Sequence, residues 1–292
     1  MEFCADPSVL TGWRWFACYL TTPKHQLFYL SFITVIALLV VTAPMILAMG
    51  FAGALARKSN IAPVRWLGIV YTSMVRGVPD IIFFLFVPIA LDQLVELTRH
   101  RIKCPEITEP VYRGTEFIVC SQAKMPLQDA AQWVHQGWGF ILAVIAFALV
   151  FGAFAANTLY GALNAVPHNQ LETARAFGFT EQQTFRKVHV PQMWTYALPG
   201  LSNLWMILIK ATPLLFLLGI EDIVYWAREL GGSKTGYFDY PHPDWRLWYF
   251  LGLLVFYLLL TWLSGKVFNS LNRRVNKQLH IDEADVPLEV GR

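Results

Sequence analysis

Charge is scarce in this 292-residue sequence: Asp, Glu, Lys and Arg make up 15% of it, while 55% is hydrophobic. An average soluble domain carries about a quarter charged residues. From Leu27 to Ala56 no side chain is charged at all, and a helix needs only about 20 apolar residues to cross a bilayer. A soluble core helix seldom runs that far without a polar face, so the pattern excludes an ordinary soluble domain. The net charge of +3 gives no footing for nucleic-acid binding. No glycine-rich phosphate loop, catalytic triad or Cys-x-x-Cys pair is present. The seven histidines (25, 100, 135, 168, 189, 242 and 280) are scattered and form no ligand run. Residues 1–26 include Asp6, Arg14 and Lys24 and lack the continuous apolar stretch of a cleavable signal, so the first span is expected to insert uncleaved. Trp13, Trp15, Phe16, Tyr19 and Leu20 in that segment predict a stretch lying at the membrane interface.

What is present is an all-α, polytopic pattern of about five spans. The first runs roughly Phe28 to Ala56 and ends at Arg57 and Lys58. The second runs from near Arg65 to about Leu97 and is interrupted by Arg76-Gly77-Val78-Pro79-Asp80. Such a break is tolerated where the freed backbone lines a cavity. The third covers about Trp138–Leu163, the fourth about Leu198–Ile220, and the fifth about Leu247–Phe268. The expected organisation is an outer or interfacial segment 1–26, a membrane domain 27–270 with polar loops 98–137 and 164–197, and a tail 271–292.

Five spans place the termini on opposite sides. With the tail inside, the inner loops hold eleven Lys and Arg and the outer ones ten, leaving out Arg76 and Lys210. That near tie does not orient the chain, although Arg57/Lys58 and Arg273/Arg274, next to span ends, favour a cytoplasmic tail.

The loop between the third and fourth spans reads NAVPHNQLETARAFGFTEQQTFRKVHVPQMWTYALPGL over residues 164–201. Glu172 to Phe177 is helix-forming, Gly178 breaks it, and Thr180 with Glu181 reads as the cap of a second short helix that runs toward Val190 and stops at Pro191. A helix–glycine–helix elbow is a rigid knob suited to a groove on another protein. The segment resembles the cytoplasmic coupling loop of bacterial ATP-binding-cassette importer permeases. The family pattern is Glu-Ala-Ala, three residues, Gly, nine residues, then Ile-x-Leu-Pro. This chain has Glu172-Thr173-Ala174, Gly178 and Val188-His189-Val190-Pro191 at that spacing. Thr173, Val188 and Val190 are the departures. A second likeness narrows the family. Arg76 to Asp80, and Lys210-Ala211-Thr212 with Leu218 to Val224, are similar to segments of the Q-type permease subunit in histidine, arginine and opine importers.

The resemblance implies a type I importer permease with a periplasmic N-terminus and a cytoplasmic tail, located in the bacterial inner membrane. It implies an ATPase dimer that holds ATP and magnesium, a second permease subunit (a paralogue rather than an identical copy), and a periplasmic solute-binding protein. This chain itself would bind no cofactor and perform no covalent chemistry. The implied solute is a polar, cationic amino acid or opine. The coupling residues carried over are Glu172, Ala174, Gly178, Phe179, Val188 and Pro191. Glu172, placed at the start of its helix, would either favour the positive end of the helix dipole or pair with an ATPase arginine.

Ionisable groups at membrane depth are costly unless paired or hydrated. Arg76, Asp80 and Lys210, with Asn157, Thr212 and Glu221, are therefore the expected solute-path residues. The competing reading makes Asp80 the structural partner of Lys210 or Arg76, and makes Glu221 and Asp222 a solvated helix end. Asn157-Thr158-Leu159-Tyr160-Gly161 stands where related permeases often show Glu-Thr-Phe-Arg-Gly, so Asn157 and Tyr160 lack an acid and a base of that pattern. In this orientation all four cysteines (4, 18, 104 and 120) face an oxidising compartment. Cys104 and Cys120 share one loop and are the expected disulfide, with zinc as the alternative. A secondary transporter that uses Asp80 as its proton carrier is the alternative to an ATP-driven machine; an intramembrane enzyme would need a catalytic Ser, His or acidic pair within the spans, and none stands out.

Overall fold

The computed structural model describes residue 4 and residues 10–107, 111–114 and 116–284, apart from the side chains of 75, 76 and 276–284. The helices in chain order are α1 (Gly12–Leu20), α2 (Pro23–Lys58), α3 (Ala62–Gly77), α4 (Asp80–Lys103), α5 (Gln132–Ala165), α6 (His168–Ala176), α7 (Glu181–Thr184), α8 (Val190–Ala211), α9 (Ile223–Gly231) and α10 (Arg246–Ala284). A two-stranded antiparallel ribbon, β1 (Tyr112–Arg113) and β2 (Glu116–Phe117), lies between α4 and α5. The all-α, five-span reading stands. Five helical stretches are long and apolar enough to cross a bilayer: Pro23–Lys58, Asp80–Lys103, Gln132–Ala165, Glu181–Leu218 and Arg246–Val275.

The helices exceed the sequence-based spans at most ends, because a helix continues past its apolar run into polar turns that water can reach. The interrupted second span is two helices. Pro79 has no N–H to donate and sits extended at ψ 135°, which ends α3 at Gly77 and starts α4 at Asp80. With 16 residues α3 is too short to count as a span, so the total remains five.

The chain divides into two compact units. The first comprises Met1–Ala43, Val78–Val150 and Ala211–Phe256. Its interior holds Val35, Leu38 and Leu39 of α2, Phe84 of α4 and Ala143, Ala146 and Phe147 of α5, with the Phe84 and Phe147 rings 4.5 Å apart. Both cysteine pairs lie here as disulfides, Cys4–Cys18 and Cys104–Cys120. Cys104 is paired with Cys120, the pair expected from their shared loop, and Cys4 with Cys18. His100 lies beside the Cys104 and Cys120 sulfurs. Because those sulfurs are bonded to each other, they are not thiolate ligands, and His100 Nδ1 instead accepts the Cys120 backbone N–H at 3.1 Å. The segment predicted to lie at the interface is only partly so. Trp13 is exposed, but Tyr19 is buried, with its hydroxyl 3.2 Å from His242 Nε2 and 3.0 Å from the Tyr249 hydroxyl.

The second unit comprises Pro44–Gly77, Phe151–Lys210 and Tyr257–Arg292. Here α2 and α5 pack through small side chains. A Cβ added to Gly50 would fall 2.8 Å from the Ala155 Cβ, and one on Gly53 would fall 2.8 Å from the Ala156 Cβ. In a membrane, where lipid is as apolar as leucine, such close backbone approach supplies the packing that holds helices together. α5 is the most enclosed of the five spans and α10 the least, its Leu254, Leu258, Leu259 and Trp262 all turned outward.

Candidate coupling elbow and solute-path residues

The elbow is built by local rules. α6 ends in a Schellman arrangement: the Phe179 N–H donates to the Ala174 carbonyl at 3.1 Å and the Gly178 N–H to the Arg175 carbonyl at 2.9 Å. That closure requires a left-handed residue, and Gly178 supplies it at φ +84°. Two residues on, Thr180 caps α7 reciprocally. Its hydroxyl accepts the Gln183 N–H at 3.3 Å, and its own N–H donates to the Gln183 side chain at 2.9 Å. Arg175 and Glu181 then brace the two arms through a two-pronged pair, both contacts at 2.9 Å. The cap at Thr180 and the turn at Gly178 are as the sequence implied.

Two expectations about the elbow are corrected. Glu172 does not start its helix. α6 begins at His168, because Pro167 fixes the preceding turn, and Glu172 lies mid-helix. There it pairs with His168 one turn back at 3.1 Å, both side chains well exposed, away from the helix start where a dipole effect would act. Nor does the second arm stop at Pro191. Residues Phe185–His189 form a π-helical turn that runs directly into α8. The wider turn precedes a proline that lacks a donor and would crowd a regular helix, so the arm and the fourth span become one continuous rod, Glu181–Leu218. His189, buried, donates from Nε2 to the Leu163 carbonyl at 2.7 Å and so ties this rod to the end of α5.

The six coupling residues come together in this elbow with distinct exposures. Ala174 is buried under α6, Val188 is half-buried, and Glu172, Gly178, Phe179 and Pro191 are exposed. The most exposed apolar ring on the elbow is one the sequence reading passed over: Phe177 is 81% accessible.

The solute-path candidates are divided between the two units. Asp80 opens α4 in the first unit and is half-buried. Lys210 is exposed in the last turn of α8 in the second. Thr212 is fully buried in the first unit, within the 3-10 segment Thr212–Leu218. The Arg76 side chain lies outside the described residues. Asn157 serves Arg57: the guanidinium donates to its Oδ1 at 2.7 Å and lies 3.9 Å from the Tyr160 ring centroid. Asn157 in turn donates to the Thr72 and Ala153 carbonyls. The two positions that depart from the related pattern therefore act as one neutral clamp on a cation. Sequence reasoning used Arg57 only for orientation, and its partners, 100 residues away, left no local signal.

Glu221 and Asp222 separate sharply, contrary to the reading of both as a solvated end. Asp222 is fully buried and caps α9, its Oδ1 accepting the N–H groups of Val224 and Tyr225 at 3.1 and 2.9 Å. Burial pushes its carboxyl up to about 6 despite those bonds. Glu221 is half-exposed. Its Oε1 accepts from Gln132 at 2.8 Å, and its own N–H donates to Gln136.

Five apolar spans and an elbow closed by a left-handed glycine and braced at both arms define a membrane subunit with a stiff protruding knob. Residues 48–280 match the family of binding-protein-dependent transport system inner membrane components, and the chain belongs to that family. Over 82% of its length it is 31% identical to 88% of the histidine/lysine/arginine/ornithine transport system permease protein HisQ of Salmonella typhimurium. Over 79% it is 30% identical to 87% of the arginine ABC transporter permease protein ArtQ of Escherichia coli K12. It is 26% identical to the octopine transport system permease protein OccQ of Agrobacterium tumefaciens, over 78% of this chain and 81% of that one. In fold it is similar to the crystal structure of an amino acid ABC transporter with histidines, with TM-score 0.59 and 20% identity over 88% of this chain and 98% of that one. It also resembles the inward-facing MetNI methionine ABC transporter, with TM-score 0.56 and 15% identity over 87% and 99%. The protein is thus a multi-pass inner-membrane permease subunit of an ABC importer.

Proposed function

We propose that this permease carries a polar, basic amino acid inward, with its N-terminus in the periplasm and the 164–197 elbow in the cytoplasm. Its partners are a paralogous permease subunit, a periplasmic solute-binding protein and an ATPase dimer that holds the ATP and magnesium. One observation carries the reading: the elbow is internally braced and continuous with the fourth span. When the ATPases close, a knob fixed by the Arg175–Glu181 pair and the Thr180 cap moves as one body. The rod from Glu181 to Leu218 conveys that motion to the membrane. Two disulfides in the segments assigned to the outside support the orientation, since such bonds persist in an oxidising compartment. The printed specificities of HisQ and ArtQ support the solute class.

The test is reconstitution. Co-expression with an ATPase and a second permease subunit from the same source is expected to yield one complex. Its ATP hydrolysis should rise with solute-loaded binding protein, and uptake should follow ATP. A permease that moves solute alone, or an elbow that a membrane-impermeant label reaches from outside, would overturn the reading.

A further inference from the structure

The loop between α4 and α5 is tied to the end of α4 at successive turns. Glu96, buried, accepts the Met125 N–H at 3.2 Å and lies 3.6 Å from the Lys124 ammonium. Arg99 donates to the Ala123 and Gln122 carbonyls at 3.0 and 3.2 Å. His100 and Cys104 stand four residues apart on the same helix and so share a face. Cys120 meets them from the loop, and the imidazole and two sulfurs offer three donor atoms within 4.8 Å of one another. The group is enclosed: His100 is 5% exposed, Cys104 is buried with it and Cys120 is half-buried. Because His100 Nδ1 accepts the Cys120 N–H, the neutral ring carries its proton on Nε2 and turns the Nδ1 lone pair toward Cys120.

With the sulfurs bonded to each other, the cluster is a covalent staple. Reduced, the same atoms are a set of ligands. A dithiol reductant cuts the bond by thiolate attack on one sulfur, and its second thiol then resolves the mixed disulfide. The dithiol leaves as its own disulfide, while Cys104 and Cys120 gain two electrons and two protons and become thiols. Two thiols and an imidazole suit zinc, with water completing the tetrahedron, and zinc displaces the thiol protons as it binds. Tetrahedral zinc keeps such donors about 3.6 Å apart, so rotation of the three side chains is enough to gather them. We propose that His100, Cys104 and Cys120 form a zinc site that the disulfide masks. Oxidised, the bridge fastens residue 120 to the end of α4; reduced, zinc makes the same tie.

The test takes the full-length permease in nanodiscs and reduces it with a phosphine, which becomes its oxide by taking oxygen from water. The reductant is removed and the protein titrated with Co2+, as a coloured probe, and with Zn2+. One cobalt per chain is expected, with sulfur-to-cobalt charge-transfer absorption that zinc abolishes and that the unreduced protein never shows. His100→Gln keeps an acceptor for the Cys120 N–H and can be purified with the bridge intact; after reduction it should bind cobalt at least about tenfold more weakly. Peptide mapping places the ion without any substitution: zinc should slow alkylation of Cys104 and Cys120 at least about tenfold and leave Cys4 and Cys18 unprotected. Absence of the absorption after reduction, protection of Cys4 and Cys18 instead, or His100→Gln binding as tightly as the unaltered protein would overturn the site.

Discussion

Replacing Gly178 by valine isolates the elbow's geometry from its contacts. A Cβ at Gly178 meets nothing within 4 Å, so the substitution adds no clash with neighbours. Its cost is confined to the backbone: at φ +84° an L-residue pays roughly 1–2 kcal/mol, and a β-branched one lies at the top of that range or beyond. Leaving the left-handed region breaks the two bonds that close α6, from Gly178 to Arg175 and from Phe179 to Ala174. Since about 1.4 kcal/mol is tenfold in population, the docking-ready elbow falls roughly tenfold or more against unwound alternatives. Gly178→Asn, which tolerates the same region, should lose far less. In proteoliposomes with ATPase and binding protein, the valine variant is expected to insert and assemble spans normally. It should lose most of its solute uptake and of the solute-stimulated ATP hydrolysis, while the asparagine variant retains much of both. Uptake by Gly178→Val equal to that of the unaltered protein would refute the rigid-elbow argument, because a bent handle would then transmit the stroke as well as a straight one.

Phe177→Ala removes the bare ring of the elbow and should weaken association with the ATPase by about tenfold, read by co-purification at graded salt; unchanged association would place the contact elsewhere. Asp80→Asn is expected to reduce uptake of basic solutes while leaving expression intact, and unaltered uptake would make Asp80 part of the scaffold. Asp222 makes a pH prediction. Its carboxyl is raised from 3.8 to about 6, so the folded state binds the proton more tightly than the unfolded chain. The associated stability is fully present below about pH 4 and is lost as pH rises to about 6, a change on the order of 3 kcal/mol. Asp222→Asn keeps an acceptor for α9 without the charge, so its melting temperature should gain on the unaltered protein between pH 4 and 7; parallel curves would remove the buried charge from the account.

The features legible in the sequence are those whose causes lie within a few residues. Gly178 after a helix-forming run and Thr180 three residues before Gln183 announce a left-handed turn and a reciprocal cap, and both are there. Long uncharged runs likewise announce spans, because the bilayer imposes the same demand on every turn of helix. Pro191 misled because a proline weakens a helix without having to end it: a π turn over Phe185–His189 leads into α8, just as helices continue through Pro44, Pro88 and Pro199. The pairing of Cys4 with Cys18 was open because spacing does not fix connectivity. Glu221 and Asp222 were indistinguishable as a dipeptide. They diverge because Gln132 and Gln136, more than 80 residues away in sequence, hold one acid at a cavity, while α9 takes the other as its cap. A coupling element must be stiff before its partner arrives, so its determinants are local and readable. A solute site must bring together side chains from several helices, so its chemistry becomes readable only after the chain has folded. The division between what was legible here and what was not follows that difference: the turn and cap of the elbow are written in one loop, while the partners of Arg57 and Glu221 lie 85 or more residues away in sequence.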